Sequence, residues 1–365
     1  MLTDLSTLTG EQILSALQEH CVQIGVSDIH TSPEKEHVRL EIRLHGMLQA
    51  LQPITHGQYE EFVRKIKFIA KLKLNVSNVP QDGQFSFDAP GRTVNVRVAT
   101  LPSCFGETIT LRLLDPQRGI ISLEQLGFPS DMREQLGALA KLANGLVLVT
   151  GPTGSGKTTT LYALLSTVIG TARNIITLED PIEYEIAGIV QSEIDPEHGF
   201  TFASGLRSVL RHDPNIVLVG EIRDLETAQT AIDAALTGHL VLSTLHTNSA
   251  IEAIPRLLSM GVSPYTFAPA LRGVLAQRLV RTLSQAAKAA PSIDVSDPSI
   301  YDGRIVLPEL LTVSPKLRDM VLMQEQETAI EEQAKRDGYL RMKEYGTLLV
   351  DQKLTTREEV ERVTA

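Results

Sequence analysis

The stretch that decides the fold is Gly145-Leu-Val-Leu-Val-Thr-Gly-Pro-Thr-Gly-Ser-Gly-Lys-Thr158. Its apolar first half predicts a buried strand, and residues 151–158 match the phosphate-loop pattern G-x-x-x-x-G-K-[ST]. The glycines let successive backbone N–H groups turn towards phosphate oxygens, and the following helix presents its positive end to them. Lys157 would add charge near the β- and γ-phosphates, and the Thr158 hydroxyl would ligate Mg²⁺. The predicted nucleotide-binding residues are Gly151, Pro152, Thr153, Gly154, Ser155, Gly156, Lys157, Thr158 and Thr159.

A carboxylate ends a second apolar strand, Asn215-Ile-Val-Leu-Val-Gly-Glu221. Beside the phosphate-loop strand, Glu221 would lie at the carboxyl edge of the sheet, where ligands bind in open α/β sheets. There it would hold Mg²⁺ through a water molecule. The alternative is a solvated glutamate at a strand end.

Three more carboxylates follow another apolar strand in Thr177-Leu-Glu-Asp-Pro-Ile-Glu183. A group that positions the attacking water is needed near the γ-phosphate. Spacing alone does not choose among Glu179, Asp180 and Glu183, and a plain acidic turn remains the alternative. Two histidines flank a further strand in residues 238–248, where a hydrogen-bonded structural role is the more common one.

Apolar strands alternate with longer helical stretches beyond residue 124, which predicts a parallel α/β sheet with crossover helices. The predicted strands of this part are 145–150, 174–178, 214–219 and 239–244, and residues 284–302 are predicted as a surface loop. The residues before this α/β part predict a small α+β domain. They contain two predicted helices, 9–25, capped by Thr9, and 57–75, and alternating segments at 38–44, 83–87, 93–99 and 108–114. The predicted organisation is a domain at 1–115, a linker at 116–123 and a domain at 124–365.

Composition excludes several classes of protein. The 365 residues are 42% hydrophobic and 21% charged, as in a globular chain, and 34 basic against 44 acidic residues leave a charge of −10. That balance argues against broad binding to nucleic acid. No apolar run reaches the roughly 20 residues that span a bilayer, and no secretory signal is recognisable. The one basic cluster, residues 64–73, is predicted to be a solvated helix face.

The four motifs together resemble the hexameric secretion ATPases of type II secretion and type IV pilus assembly. In order they are the phosphate loop at 151–158, the acidic segment at 177–183, a variant Walker B strand at 217–221 and the histidine segment at 238–248. Ser27-Asp-Ile-His30, Pro80-Gln-Asp-Gly83 and Gly106-Glu107 also match patterns of that family, so the resemblance spans nearly the whole chain.

The resemblance implies a RecA-like P-loop ATPase domain preceded by a small α+β PAS-like domain, assembled as a homo-hexameric ring that uses ATP and Mg²⁺. It implies Glu183 as general base, Glu221 as the Mg²⁺-site carboxylate and His246 as a γ-phosphate sensor. Arg97 and Arg112 fall where the family places arginines that reach a nucleotide site. Exposed charges on alternating strands are the alternative for these two, and Arg207, Arg211 and Arg223 are rival candidates.

The C-terminal segments 303–311 and 342–364 look like those of the assembly and export branch of the family. The first alternative function is that of a retraction ATPase, and the second is that of a conjugation-related DNA or protein translocation ATPase. Thr355 and Glu358 predict a capped terminal helix. The expected location is cytoplasmic, held at the inner membrane by a polytopic platform protein, with no nucleic acid partner. Many export members carry four cysteines for zinc after the histidine segment; none lies there here, which predicts no zinc. Because the sequence begins almost directly with the predicted small domain, we expect a shortened form without the docking module of many export members, like the motors of DNA-uptake pseudopili.

Overall fold

The computed structural model describes residues 4–295 and 297–364. The chain divides into two compact units, Met1–Gly119 and Ile120–Ala365. The division falls within the predicted linker 116–123, where Pro116–Gly119 forms a short helix. Residues 1–3, which belong to the segment used to exclude a secretory signal, lie outside the described residues.

The first unit combines an antiparallel sheet with helices. Its helices are α1 (Gly10–Ile24), α2 (His56–Ile69) and α3 (Pro116–Gly119), and its strands are β1 (Asp28–Pro33), β2 (Val38–Leu44), β3 (Met47–Ala50), β4 (Gln81–Ala89), β5 (Arg92–Ser103) and β6 (Gly106–Leu114). Within the described residues the six strands follow the order β3-β2-β1-β6-β5-β4. Alternation along β5 buries Val94, Val96 and Val98, which join α1 and α2 in one apolar core.

Both long helices of this unit begin with a capping box. The Thr9 hydroxyl accepts from the Gln12 N–H at the start of α1, as the sequence predicts, and Thr55 and Gln58 form the same arrangement before α2. α2 ends at Ile69, six residues short of the predicted 75. Lys71 takes a left-handed conformation (φ +57°), and the Leu72 N–H donates to the Lys67 carbonyl, which closes the helix.

The prediction of a solvated basic face on α2 is wrong for Lys67. Its side chain is buried, with Nζ 2.6 Å from the Glu107 carboxylate and donating to the Val76 carbonyl at 2.6 Å. A lysine is buried only when it is paired. Lys67 therefore ties α2 to β6 and to the loop before β4.

The second unit is a layered α/β structure. Its helices are α4 (Ser130–Ala140), α5 (Lys157–Ser166), α6 (Phe202–Val209), α7 (Leu225–Leu236), α8 (Ala253–Ser259), α9 (Pro264–Ala270), α10 (Gln285–Ala289), α11 (Pro315–Leu322), α12 (Glu327–Arg336), α13 (Met342–Asp351) and α14 (Arg357–Thr364). Its strands are β7 (Gly145–Thr150), β8 (Ile175–Glu179), β9 (Val190–Glu193), β10 (Ile216–Val219), β11 (Leu240–Leu245), β12 (Leu271–Leu283) and β13 (Tyr301–Thr312).

The seven strands described in this unit follow the order β13-β12-β7-β11-β10-β8-β9. All neighbouring pairs are parallel except β12 and β13. The four predicted strands correspond to β7, β8, β10 and β11, with ends within two residues of the prediction. β12 carries a polar Gln277 and Arg278 inside an apolar run and was not predicted. The predicted loop 284–302 contains α10 and the first residues of β13.

The C-terminal helix is capped by Thr356, one residue after the predicted cap Thr355. The Glu359 N–H donates to the Thr356 hydroxyl at 3.3 Å, whereas the Thr355 hydroxyl donates to the Arg281 carbonyl of β12. Arg281 and Glu359 also form an ion pair, so α14 is fixed against β12. None of the helices in the described ranges has the length and apolar character needed to cross a membrane.

Candidate active site

The phosphate loop, residues 151–158, joins β7 to α5. Every residue of β7 is buried, because the strand lies between β11 and β12. Gly154 and Gly156 have φ angles of +79° and +89°, in the left-handed region that glycine adopts without strain. Gly156 precedes α5, whose first turn contains no acidic residue. The positive end of α5 therefore remains uncompensated by its own first turn, which favours an anion there.

The predicted nucleotide-binding residues differ in exposure. Gly151 and Ser155 are buried, Gly156, Lys157 and Thr159 are half-buried, and Pro152, Thr153, Gly154 and Thr158 are exposed. Among the described residues the buried Ser155 hydroxyl has no hydrogen-bond partner. The exposed members leave the outer surface of the loop accessible to a ligand.

Lys157 folds over its own loop. Its Nζ donates to the Gly151 carbonyl at 2.9 Å and to the Pro152 carbonyl at 3.1 Å. Burial lowers the pKa of the Lys157 ammonium, and nearby Glu221 partly opposes this effect. The ammonium is thus held at the centre of the loop, where phosphate oxygens would compete with the two carbonyls.

Glu221 and His246 meet at the carboxyl ends of β10 and β11. The Glu221 side chain is largely buried, with one oxygen 2.5 Å from the Arg223 guanidinium and the other 3.7 Å from His246 Nε2. Burial lowers the pKa of His246, and the Lys157 charge lowers it further. His246 is therefore neutral at pH 7. The other histidine of this segment, His239, lies at the opposite end of β11 with Nδ1 3.0 Å from the Ala234 carbonyl.

The acidic residues after β8 occupy different environments. Glu179 is buried and accepts hydrogen bonds from the Tyr162 hydroxyl, from the Thr177 hydroxyl at 2.6 Å and from Gln191 Nε2 at 3.1 Å. These donors fill much of the accepting capacity of its two oxygens. Asp180 is exposed and Glu183 is half-buried. Glu179 is thus suited to holding β8, β9 and α5 together.

One cavity brings together five of the predicted residues of the second unit, Lys157, Thr158, Glu183, Glu221 and His246. This phosphate-loop cavity has a volume of about 150 Å³. Its charged and polar lining consists of Lys157, Thr158, Glu179, Asp180, Glu183, Glu221, Thr244 and His246. A second cavity of about 600 Å³ is lined by Gly151, Pro152 and His246 together with residues of the segment 247–259. The phosphate loop and His246 therefore border both the small charged cavity and the larger open one.

Arg97 and Arg112 lie in the first unit, on β5 and β6. They are directly opposite each other in the register of these strands. The side chain of Arg112 is more than half exposed, and its Nε donates to Asp28 of β1 at 2.9 Å. Of the rival arginines, Arg207 pairs with Glu226 on the surface, and Arg223 pairs with Glu221 beside the phosphate-loop cavity.

The profile of the family described as "Type II/IV secretion system protein" matches residues 5–362. The chain belongs to this family. The type II secretion system protein HxcR of Pseudomonas aeruginosa is 40% identical over 97% of the chain and 77% of its own length. The type II secretion system protein E of Dickeya dadantii is 42% identical and the type II secretion system ATPase E of Vibrio cholerae 40% identical, each over 97% of the chain and 75% of its own length. The chain is accordingly an ATPase of the secretion family, as its motifs indicate.

Solved structures of other secretion and pilus ATPases resemble the whole chain. The Legionella pneumophila ATPase DotB aligns with a TM-score of 0.77 at 24% identity, over 99% of this chain and 98% of its own, and shows the fold alone. The pilus retraction motor PilT, solved with bound ADP, aligns with a TM-score of 0.69 at 28% identity, over 98% of this chain and 97% of its own. The overall architecture is therefore the mixed α/β fold of these ATPases.

The donor set at the cavity of this secretion ATPase suits a hard cation. Mg²⁺ takes oxygen ligands and is bound by one or two protein groups together with substrate phosphates and water. Thr158 and Glu221 offer a hydroxyl and a carboxylate on the same cavity, which Lys157 also lines. Nowhere in residues 4–295 and 297–364 do three or more His, Cys, Asp or Glu side chains form a cluster that would hold a metal by itself. The residues present therefore fit Mg²⁺ that arrives with a nucleotide.

Sequence reasoning missed two residues on β12, of which one supports the phosphate loop and the other contacts the histidine segment. Gln277 is fully buried and its Nε2 donates to the Ser155 carbonyl at 2.7 Å. Arg278 is half-buried, and its guanidinium donates to the Asn248 carbonyl in the histidine segment at 3.2 Å. The signal available was two polar residues inside Leu275-Ala-Gln-Arg-Leu-Val280, where an apolar strand would otherwise be expected.

Proposed function

We propose that this chain is a subunit of a Mg²⁺-dependent, ring-shaped ATPase of the assembly branch, which powers construction of a type II secretion pseudopilus or a type IV pilus. The phosphate-loop cavity carries the proposal, because it places the cation of Lys157 beside carboxylates and a neutral histidine. Type II secretion proteins 40–42% identical to the chain favour the assembly branch, whereas the retraction motor PilT is 28% identical.

The roles follow from exposure and charge. Lys157 and the N-terminus of α5 bind the β- and γ-phosphates. Glu183, which lines the phosphate-loop cavity, accepts the proton of the attacking water. His246, neutral at pH 7, donates to a γ-phosphate oxygen. Thr158 and Glu221 would hold Mg²⁺, directly or through water, and the ion would neutralise charge on the phosphates.

The assembly proposed for this chain is a homo-hexamer in which a RecA-like second unit binds ATP and a PAS-like first unit supplies Arg97 and Arg112 to a nucleotide held by another copy. An inserted arginine accelerates phosphoryl transfer by about 10³–10⁵ in other phosphate-loop enzymes, or roughly 4–7 kcal/mol of barrier. The segment 145–172 contains no arginine. Supplying this charge from another copy would couple hydrolysis to movement between subunits. The ring is proposed to dock on a polytopic protein of the inner membrane from the cytoplasmic side.

Hydrolysis assays test the assignment of the base. Glu183→Gln is expected to bind ATP with little change and to lower kcat at least 100-fold, since a general base contributes about 10²–10⁴. Glu185→Gln, an exposed neighbour outside the cavity lining, is the matched control and should retain full turnover. A Glu183→Gln variant that retains more than a tenth of wild-type kcat would remove the proposal for this residue.

The ring and its arginines are tested in the same assay. Turnover per subunit should rise with protein concentration as rings form, and Arg97→Ala or Arg112→Ala should lower it at least tenfold with nucleotide binding nearly intact. Stimulation of turnover by DNA would instead favour a translocating ATPase, which the net charge of −10 opposes. We also propose that the protein holds no structural zinc; stoichiometric zinc in metal analysis of the purified protein would contradict this.

A further inference from the structure

A row of charged side chains crosses the sheet of the first unit. In the strand register Arg43 of β2 lies opposite Asp28 of β1, Asp28 lies opposite Arg112 of β6, and Arg112 lies opposite Arg97 of β5. Directly opposite residues of antiparallel strands project from the same face of a sheet. The row therefore contains three arginines and one aspartate.

Asp28 is the buried member of this row. Only 5% of the residue is exposed, whereas 54% of the Arg112 side chain is exposed. Oδ1 of Asp28 accepts the Nε–H of Arg112 at 2.9 Å. Oδ2 accepts the Ser27 hydroxyl at 2.8 Å and lies 3.6 Å from Arg43 Nε. Both oxygens of the Asp28 carboxylate therefore have partners, and one of them accepts a hydrogen bond from the exposed guanidinium of Arg112.

We propose that Asp28 is the positioning residue for Arg112, holding its guanidinium in the orientation that meets a nucleotide bound by another copy of the chain. The inference rests on the proposed function of Arg112. An exposed arginine samples many rotamers, and a fixed partner removes that freedom before the nucleotide arrives.

ATP turnover of the full-length protein tests the proposal through a double-mutant cycle. Asp28→Asn should lower kcat at least threefold and leave the KM for ATP within twofold, because Arg112 acts on the transition state rather than on binding. The double variant that carries both Asp28→Asn and Arg112→Ala should have a kcat less than twofold below that of the single variant Arg112→Ala. Arg39→Gln removes an arginine of strand β2 that pairs with Glu34 and Glu41 rather than with Asp28. It is the matched control, with kcat expected within twofold of wild type.

The outcomes separate the two proposals. If Asp28→Asn leaves kcat unchanged, or if its effect multiplies with that of Arg112→Ala, the positioning role of Asp28 is overturned while the role of Arg112 stands. If Arg112→Ala itself leaves turnover unchanged, both are overturned. Should Asp28→Asn fail to fold, Asp28→Glu replaces it in the cycle. That variant keeps the charge but displaces the carboxylate by one methylene. It is expected to lower kcat at least threefold by itself and to add less than a twofold loss when combined with Arg112→Ala.

Discussion

Replacing Glu359 with glutamine is expected to release the C-terminal helix from β12 at neutral pH. Glu359 is 2% exposed and accepts from Arg281 Nη2 at 2.6 Å, from the Arg281 N–H at 3.0 Å, and from Arg362 Nε and Nη2 at 2.9 and 2.8 Å. Arg281 in turn stacks over the Tyr301 ring at 4.0 Å. A glutamine has a single accepting oxygen and no charge, so both guanidinium groups lose their ion pair and at least one of them loses its hydrogen bonds.

The size of the effect follows from the pKa of Glu359. Burial by itself raises the pKa, but the hydrogen bonds from Arg362 and Arg281 outweigh it and lower the pKa from 4.5 to about 2. At 1.36 kcal/mol per unit this difference corresponds to about 3 kcal/mol. Because the pKa is depressed in the folded state, the stabilisation is fully present above pH 4.5 and is lost as the pH falls towards 2.

Hydrogen exchange of α14 measures this contribution directly, since local opening of a helix is resolved without unfolding both units. At pH 7 the Glu359→Gln variant should open about 3 kcal/mol more easily than wild type, and the difference should shrink as the pH is lowered from 5 to 3. Glu361→Gln breaks an exposed ion pair with Arg357 and should cost no more than about 0.5 kcal/mol. Equal behaviour of the two variants, or a difference that does not change with pH, would refute the reasoning.

Two further substitutions test contacts that the sequence did not reveal. Lys67→Ala should open α2 to hydrogen exchange by about 3–5 kcal/mol, because it leaves the Glu107 carboxylate buried without its cation. Lys65→Ala removes only a solvent-accessible ion pair with Glu11 and should cost no more than about 1 kcal/mol, and equal protection in the two variants would contradict this. Gln277→Ala should weaken ADP binding about tenfold in calorimetry, since an unpaired buried carbonyl at Ser155 costs about 1–3 kcal/mol; unchanged affinity would mean that the brace on the phosphate loop is dispensable.

Local chemistry explains which features the sequence predicts. The phosphate loop, the buried parallel strands and the Thr9 capping box each depend on residues within about ten positions of one another, so pattern and structure agree. Family membership and ATPase activity follow from motifs of the same kind and are confirmed by the comparisons. The site roles of Glu183, Glu221, His246, Arg97 and Arg112 stay predictions until they are measured.

The features that the sequence missed depend on distant partners. Lys67 lies in a basic run, and only Glu107, forty positions away, makes its burial tolerable. Spacing alone does not distinguish Glu179 from Asp180 and Glu183, because the donors to Glu179, Tyr162 and Gln191, lie 17 and 12 positions away. β12 escaped prediction because Gln277 interrupts its apolar pattern, and that interruption is satisfied by a carbonyl 122 residues away.

The continuity of β12 has a mechanical consequence. Gln277 supports the phosphate loop and Arg281 holds the C-terminal helix, and the two residues are four positions apart on one strand, about 13 Å at 3.3 Å per residue. This part of β12 is hydrogen-bonded to β13, in the register that places Gln277 opposite Pro308 and Arg281 opposite Arg304. Because an extended strand in a ladder resists stretching, tension applied to α14 is transmitted along β12 to the base of the nucleotide loop, and a force on this helix would be felt at the nucleotide.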